Sequence, residues 1–302
     1  PAVFARSTNG GLSWEAARAI FDPGTNSQTI GNVIAVLPDG RLLNLFTQID
    51  PAPGGGSAAS VRVMRSSNQG QTWSAPVTVS PLQSIGASDP ENGINIRDGS
   101  ILAQFAVGPD GAVHVVWQDA RFSGGARDGI AWSRSLDGGD TWSEPKQVNR
   151  ATDVQAFMPS VFVLADGTVA ITYYDLRSNT GASTLPTDYW LVRTRDGLHW
   201  TEDRLSGPFD LGFAPNANGL FVGDYQGLQG FGDDTLSLHV IANSSLVNRT
   251  DAWFARARPI AAPVTVLPPV AAAQETEKSG WRDATSRNLQ RQLAARRQPP
   301  AR

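Results

Sequence analysis

One eight-residue pattern recurs along the chain and constrains the fold more than any other feature. It reads Ser7-Thr8-Asn9-Gly10-Gly11-Leu12-Ser13-Trp14, then Ser66-Ser67-Asn68-Gln69-Gly70-Gln71-Thr72-Trp73, then Ser135-Leu136-Asp137-Gly138-Gly139-Asp140-Thr141-Trp142. A shortened copy is Thr194-Arg195-Asp196-Gly197-Leu198-His199-Trp200. The tryptophans lie roughly 58 to 69 residues apart, a period that suits one four-stranded propeller blade with generous loops. Before each copy stands an apolar strand ending in arginine, as in Val3-Phe4-Ala5-Arg6 and Ala131-Trp132-Ser133-Arg134. Trp253-Phe254-Ala255-Arg256 is a fifth such strand, with no motif after it. Further upstream, Pro38-Asp39-Gly40, Pro109-Asp110-Gly111, Ala165-Asp166-Gly167 and Gly232-Asp233-Asp234 each open a β-rich run. Asp-Gly between apolar runs signals a hairpin.

These signals predict an all-β chain of four-stranded antiparallel blades, strands A to D. The turn after strand A is the Asp-Gly hairpin, and the turn after strand C is the repeated motif, with strand D starting at its tryptophan. Four blades are expected over about 30–268. Residues 1–23 supply only strands C and D of an earlier one, so the propeller domain spans 1–269. Thirty glycines and twenty prolines fit many short strands joined by turns. Beyond 270 the pattern stops. The Ala- and Arg-rich tail over 270–302 is expected to be disordered or weakly helical, the helix falling between Trp281 and Arg297.

The motif itself is a turn-former. A short acidic or amide side chain accepts hydrogen bonds from backbone N–H groups further on, and glycine supplies a positive φ. Asn9 and Asn68 stand where Asp137 and Asp196 stand in the other copies. Asparagine keeps the acceptor but cannot donate a proton as an acid or attack as a nucleophile, so the slot is structural. Trp14, Trp73, Trp142 and Trp200 are expected to fill space in or between blades.

Other residues point to a site. In such a blade the B–C loops and the D–A connections share one face, opposite the repetitive turns, and long variable loops are where function gathers. The B–C loops carry Asp119 with Arg121 and Asp175 with Arg177; the equivalent Phe46–Asp50 stretch lacks the arginine. The D–A connections carry Asp89, Glu91, Arg97 and Asp98, then Arg150 and Asp153, then Asp210, Asp224 and Tyr225. Arginines bind carboxylates bidentately, and carboxylates serve as general acids or bases. This makes Asp119, Asp175 and Tyr225 candidate catalytic residues, and Arg97, Arg121, Arg177 and Asp224 candidate substrate contacts. The competing reading is that the Asp–Arg pairs are salt-bridged loop anchors and that Tyr225 packs along a strand.

The recurring Ser/Thr-x-Asp-x-Gly-x-Thr/Ser-Trp motif resembles the Asp-box, or BNR, repeat of sialidases and related β-propellers. The resemblance covers most of residues 1–268 and implies a six-bladed ring when complete, of which about four and a half blades are legible. It implies a secreted or cell-surface protein acting on an extracellular glycan or glycoprotein, as a monomer. Family sialidases grip the substrate carboxylate with three arginines and attack through a tyrosine activated by a glutamate, with an aspartate as acid/base. The chain departs from that pattern. Its Gly31-Asn32-Val33-Ile34 has no arginine where the family has Arg-Ile-Pro, and the 51–57 loop has no acid. Three readings therefore stay open: a sialidase-like exo-glycosidase, a non-catalytic propeller binding glycan or protein, and a structural surface protein.

Composition narrows the field further. A net charge of -3 gives no reason to expect nucleic acid. Cysteine is absent, so neither disulfides nor thiolate metal sites arise. His114, His199 and His239 lack metal-ligand spacing, and no Gly-x-Ser-x-Gly elbow or phosphate loop is present. Neither metal nor cofactor is expected. There is no apolar run of membrane-spanning length and no signal peptide. The start at Pro1, inside a strand pattern, reads as a processed or truncated product, so export is an expectation of the resemblance alone.

Overall fold

A computed structural model describes residues 1–259 and 280–297, with side chains of the last segment through Ala294. Five antiparallel sheets follow one another along the chain. The first has two strands, β1 (Ala2–Phe4) and β2 (Arg18–Phe21). Three four-stranded sheets come next. They are β3 (Gln28–Val36), β4 (Leu42–Pro51), β5 (Ser57–Ser66) and β6 (Val77–Leu82); β7 (Gln104–Val107), β8 (Val113–Asp119), β9 (Gly129–Ser135) and β10 (Lys146–Gln147); and β11 (Ala156–Val163), β12 (Val169–Asp175), β13 (Pro186–Thr194) and β14 (Thr201–Asp210). The last sheet has β15 (Gly227–Phe231), β16 (Asp234–Ala242) and β17 (Thr250–Ala257). In every sheet sequence neighbours are also hydrogen-bonded neighbours, which is the meander of a propeller blade. The fourth strand expected by 268 in the last blade lies outside the described residues.

The strands A, namely β3, β7, β11 and β15, pack beside one another from blade to blade and form the inner wall. Strands B carry the core: every residue of β8 and β12 is buried. Full burial of both faces explains why these runs, Val-His-Val-Val-Trp and Val-Ala-Ile-Thr-Tyr-Tyr, are nearly continuous in apolar and aromatic residues instead of alternating.

All the Asp-Gly hairpins fall where the sequence puts them. The motif turns join β5 to β6, β9 to β10 and β13 to β14. Strand D starts later than expected, one to four residues past the tryptophan. Two of these gaps contain Pro76 and Pro145, which have no N–H to give the ladder.

The tail resolves into a helix. Of the two forms expected for it, residues 281–297 take the helical one, as α1 (Trp281–Arg297). Residues 270–279 and 298–302 lie outside the described residues. Among the described residues no helix is long and apolar enough to cross a membrane.

Candidate functional site on the loop face

The repeated boxes come first, because they separate scaffold from site. In each one the Ser or Thr hydroxyl accepts a backbone N–H from the glycine: Gly11 to Ser7 at 2.8 Å, Gly70 to Ser66 at 2.8 Å, Gly139 to Ser135 at 2.7 Å and Gly197 to Thr194 at 2.9 Å. The Asp or Asn oxygen accepts the N–H of the residue before the tryptophan. The distances are 3.0 Å at Asn9, 2.9 Å at Asn68, 3.0 Å at Asp137 and 2.8 Å at Asp196. Amide and carboxylate thus do the same work. Slight burial raises the Asp137 carboxyl, but hydrogen bonds from Thr141 and Ser135 outweigh it and hold the group well below the usual carboxylate range. Asp196 is lowered likewise, chiefly by the backbone and ring of His199.

Trp73, Trp142 and Trp200 each wedge against the preceding blade. Trp73 meets Phe4 of β1 edge-on at 5.5 Å, and Trp200 meets Trp132 of β9 edge-on at 5.4 Å. Trp142 packs with Leu37, Leu43 and Val113 across the same kind of seam.

The Asp–Arg pairs of the B–C loops form two anchors of one design. Asp119 is buried at the end of β8. It accepts Trp117 Nε1 at 2.7 Å and a bidentate grip from Arg121, Nε to Oδ1 at 2.9 Å and Nη2 to Oδ2 at 2.8 Å. Arg121 also donates to Ser80 and Pro81 of β6, tying the loop to the outer strand of the preceding blade. Asp175, buried at the end of β12, accepts Trp190 Nε1 at 3.0 Å and Arg177 Nε at 2.7 Å. Arg177 lies flat on the Trp190 ring at 3.6 Å and donates to both oxygens of Glu202 on β14, at 2.6 and 2.9 Å. Tyr173 hydrogen-bonds the same Glu202. Burial raises Asp175 to about 6 even though Arg177 opposes it. Burial also works to raise Glu202, but Arg177 and Tyr173 prevail and hold it low.

Arg97, Arg121 and Arg177 are therefore not gathered at one point. Arg121 and Arg177 are spent on carboxylates against outer strands. Arg97 is the one near the axis, where Nη2 donates to Asp224 at 3.0 Å and the guanidinium stacks over Phe221 at 4.4 Å. Sequence reasoning missed Glu202, because its partner Arg177 is a whole strand pair away. It also missed Asp128. The signal was there: Asp128 and Asp188 both stand at the opening of a strand C.

Near the axis the D–A connections and inner strands leave a shallow groove whose enclosed space, about 10 Å³, has room for one water. It is lined by Asp98 and Gly99, by Met158 to Ser160 of β11, and by Asp224, Tyr225 and Gln226. Three successive blades contribute, and Tyr225 stands 62% exposed at its edge. Among the described residues no carboxylate is bonded to the Tyr225 hydroxyl. Met158 takes a positive φ of 57°, an uncommon conformation for a residue with a side chain. Its N–H is fixed on Gln118 Oε1 at 3.0 Å, and its sulfur receives Gln226 Nε2 at 3.3 Å. Such over-determined backbone clusters at functional sites. Among the described residues no group of His, Asp and Glu side chains could hold a metal ion.

Residues 2–119 match the model of the BNR repeat-like domain. Over those residues the chain is similar to the BNR repeat-like domain, and its sheets are those of a β-propeller. The matched region holds the first two boxes, and the boxes at 135–142 and 194–200 repeat their hydrogen bonds. No curated protein matches this chain. Among solved structures, it is similar to a protein of unknown function from Dyadobacter fermentans DSM 18053, at 16% identity and a TM-score of 0.47 over 81% of this chain and 65% of that one. It is also similar to the Penicillium chrysogenum alpha-L-arabinanase complexed with arabinobiose, at 16% identity and a TM-score of 0.47 over 79% and 66%. A third is the intramolecular trans-sialidase from Ruminococcus gnavus, at 18% identity and a TM-score of 0.43 over 83% and 49%. The chain thus spans less than two thirds of the length of each of these three.

Proposed function

We propose that this propeller recognises extracellular carbohydrate through the axial groove of its loop face. The observation that carries the reading is the exposed ring of Tyr225 beside the Arg97–Asp224 pair, on a rigid floor supplied by three blades. An aromatic face packs against the apolar face of a sugar ring, while neighbouring charged groups take its hydroxyls. Arg97 is the substrate contact, with Asp224 orienting it, and Tyr225 is the platform. The BNR domain supports a glycan-directed propeller.

Recognition is favoured over hydrolysis. A sialidase needs arginines converging on the substrate carboxylate, and here Arg121 and Arg177 are neutralised in loop anchors. Among the described residues Tyr225 likewise has no bonded glutamate to activate it as a nucleophile. Asp119 and Asp175 are buried and held by their arginines. The experiment is a glycan array followed by calorimetry. Binding is expected to weaken at least tenfold in Tyr225→Ala, while the full chain leaves a fluorogenic sialoside intact. Turnover of the sialoside by the full chain, abolished in Tyr225→Phe, would restore the exo-sialidase reading.

A further inference from the structure

We propose that α1 is a built-in occupant of a second, hydroxyl-binding pocket on the loop face, and that this pocket takes a neutral sugar when the helix lifts away. The proposal deepens the glycan reading above and rests on it.

The pocket is built from β8 and the connection between the second and third sheets. At its floor the Gln118 side-chain amide donates to Asp98 Oδ2 at 2.9 Å and to Asp128 Oδ2 at 3.2 Å. Both carboxylates are fully buried. Asp128 also accepts Ser84 Oγ at 2.5 Å and the N–H groups of Ile85 and Gly86, each at 3.0 Å. Asp98 accepts the N–H groups of Ala87 and Ser100. The floor turns oxygens outward at Ser84, Ser100 and Asp98, and α1 sets amide donors against them. Asn288 Nδ2 lies 3.4 Å from Ser84 O, 3.3 Å from Ser84 Oγ and 2.9 Å from Ser100 Oγ. Gln292 Nε2 donates to Asp98 Oδ1 at 2.6 Å.

The helix is seated largely through polar side chains. Gly86 and Gly125 leave it room: a Cβ would stand 2.5 Å from Asn288 Oδ1 at the first and 2.6 Å from Trp281 Cβ at the second. The buried face is Thr285, Asn288, Leu289 and Gln292; Leu289 joins the core cluster of Ile101 and Ala103, and the partly buried Leu293 packs against it. Hydrogen bonds exchanged for water contribute little net. Asn288 and Gln292 therefore imitate a ligand that offers hydroxyl protons. A neutral sugar does so. An acidic sugar would meet the Asp98 carboxylate and be repelled, because like charges oppose each other strongly where water is excluded. Burial and the neighbouring Asp98 raise Asp128 to about 7, so part of the pocket's charge is already carried as a proton near neutrality.

The test uses the absence of cysteine. A Cβ built at Gly56 lies 3.2 Å from Ser286 Cβ, a few tenths of an ångström inside the usual disulfide span, so Gly56→Cys/Ser286→Cys, after a small shift of the 54–56 turn, locks α1 when oxidised and frees it when reduced. In the full chain, carbodiimide labelling of Asp98 is expected to be at least tenfold slower in the oxidised form. Leu289→Asp is expected to label as fast as the reduced form. Maltotriose, mannotriose and arabinotriose are the neutral probes, with 3′-sialyllactose as the acidic one. At least one neutral probe is expected to bind the reduced form and to lose at least tenfold on oxidation. Equal labelling of the two forms would overturn the removable helix, whatever glycans do. Normal gating of the labelling with no neutral probe bound, or with sialyllactose preferred, would overturn the neutral-sugar assignment. Neither result depends on the Tyr225→Ala titration, which tests the axial groove alone.

Discussion

The inner blades and the first two-stranded sheet carry the same box with the same hydrogen bonds, yet their tryptophans live differently. Trp200 is buried against Trp132, whereas Trp14, with no earlier blade beside it among the described residues, is 66% exposed. The turn is a local property of eight residues and forms wherever they occur. The wedge is a property of two blades and exists only where a neighbour supplies the other half. A BNR box therefore contributes stability in two separable parts, and the seam is the larger one.

The largest expected effect follows from the seam. Trp200→Ala empties a site closed by Trp132 and the apolar residues around it, and is expected to cost about 3–5 kcal/mol in chemical denaturation. Trp132→Ala should cost as much, and the double variant less than the sum, since the two rings share one contact. A full additive loss would show that the rings do not meet.

The same seam carries a pH dependence. His114 stacks on Trp132 and accepts its Nε1–H at 3.2 Å, and burial lowers its pKa to about 4. The folded value lies below the unfolded one of 6.5, so unfolding takes up a proton between them. Stability is full above pH 6.5 and is lost as pH falls toward 4, by an amount on the order of 3 kcal/mol from this group. His239, also lowered to about 4 by burial, adds in the same direction. His114→Gln should flatten part of that slope in urea titrations at a series of pH values. An unchanged slope would remove His114 from the account.

The division between turn and seam also explains what sequence could reveal. The boxes, hairpins and blade order were legible because each is written in consecutive residues. The loop face was legible because strand alternation fixes which connections share a side. Partner identity was not. Arg121 and Arg177 have the composition of a substrate grip, and only the fold shows them held by Asp119, and by Asp175 and Glu202. The docking of α1 was hidden most of all. Its contacts join residues about 200 positions apart through amides, which leave no periodic apolar signature.

Within the turn, smaller effects are expected. Asp137→Asn keeps the acceptor that Asn9 and Asn68 supply in their own boxes, so its cost at neutral pH should stay below about 1 kcal/mol. The carboxyl is held low in the folded chain, so its contribution is present above the ordinary carboxylate pKa and fades as pH falls below it. Wild type and variant should therefore converge in acid, and a variant that loses more in acid than at pH 7 would contradict the assigned hydrogen bonds.

Trp14→Ala tests the comparison at its weak end. The side chain makes no seam, so truncation should change stability by less than about 0.5 kcal/mol, the range of ordinary surface substitutions. The experiment is informative in both directions, because the Ser7 and Asn9 hydrogen bonds leave the turn itself intact. A loss approaching that of Trp200→Ala would mean that something packs on this edge in solution. The dependence of that loss on protein concentration would then decide whether the cover is a second copy of the chain.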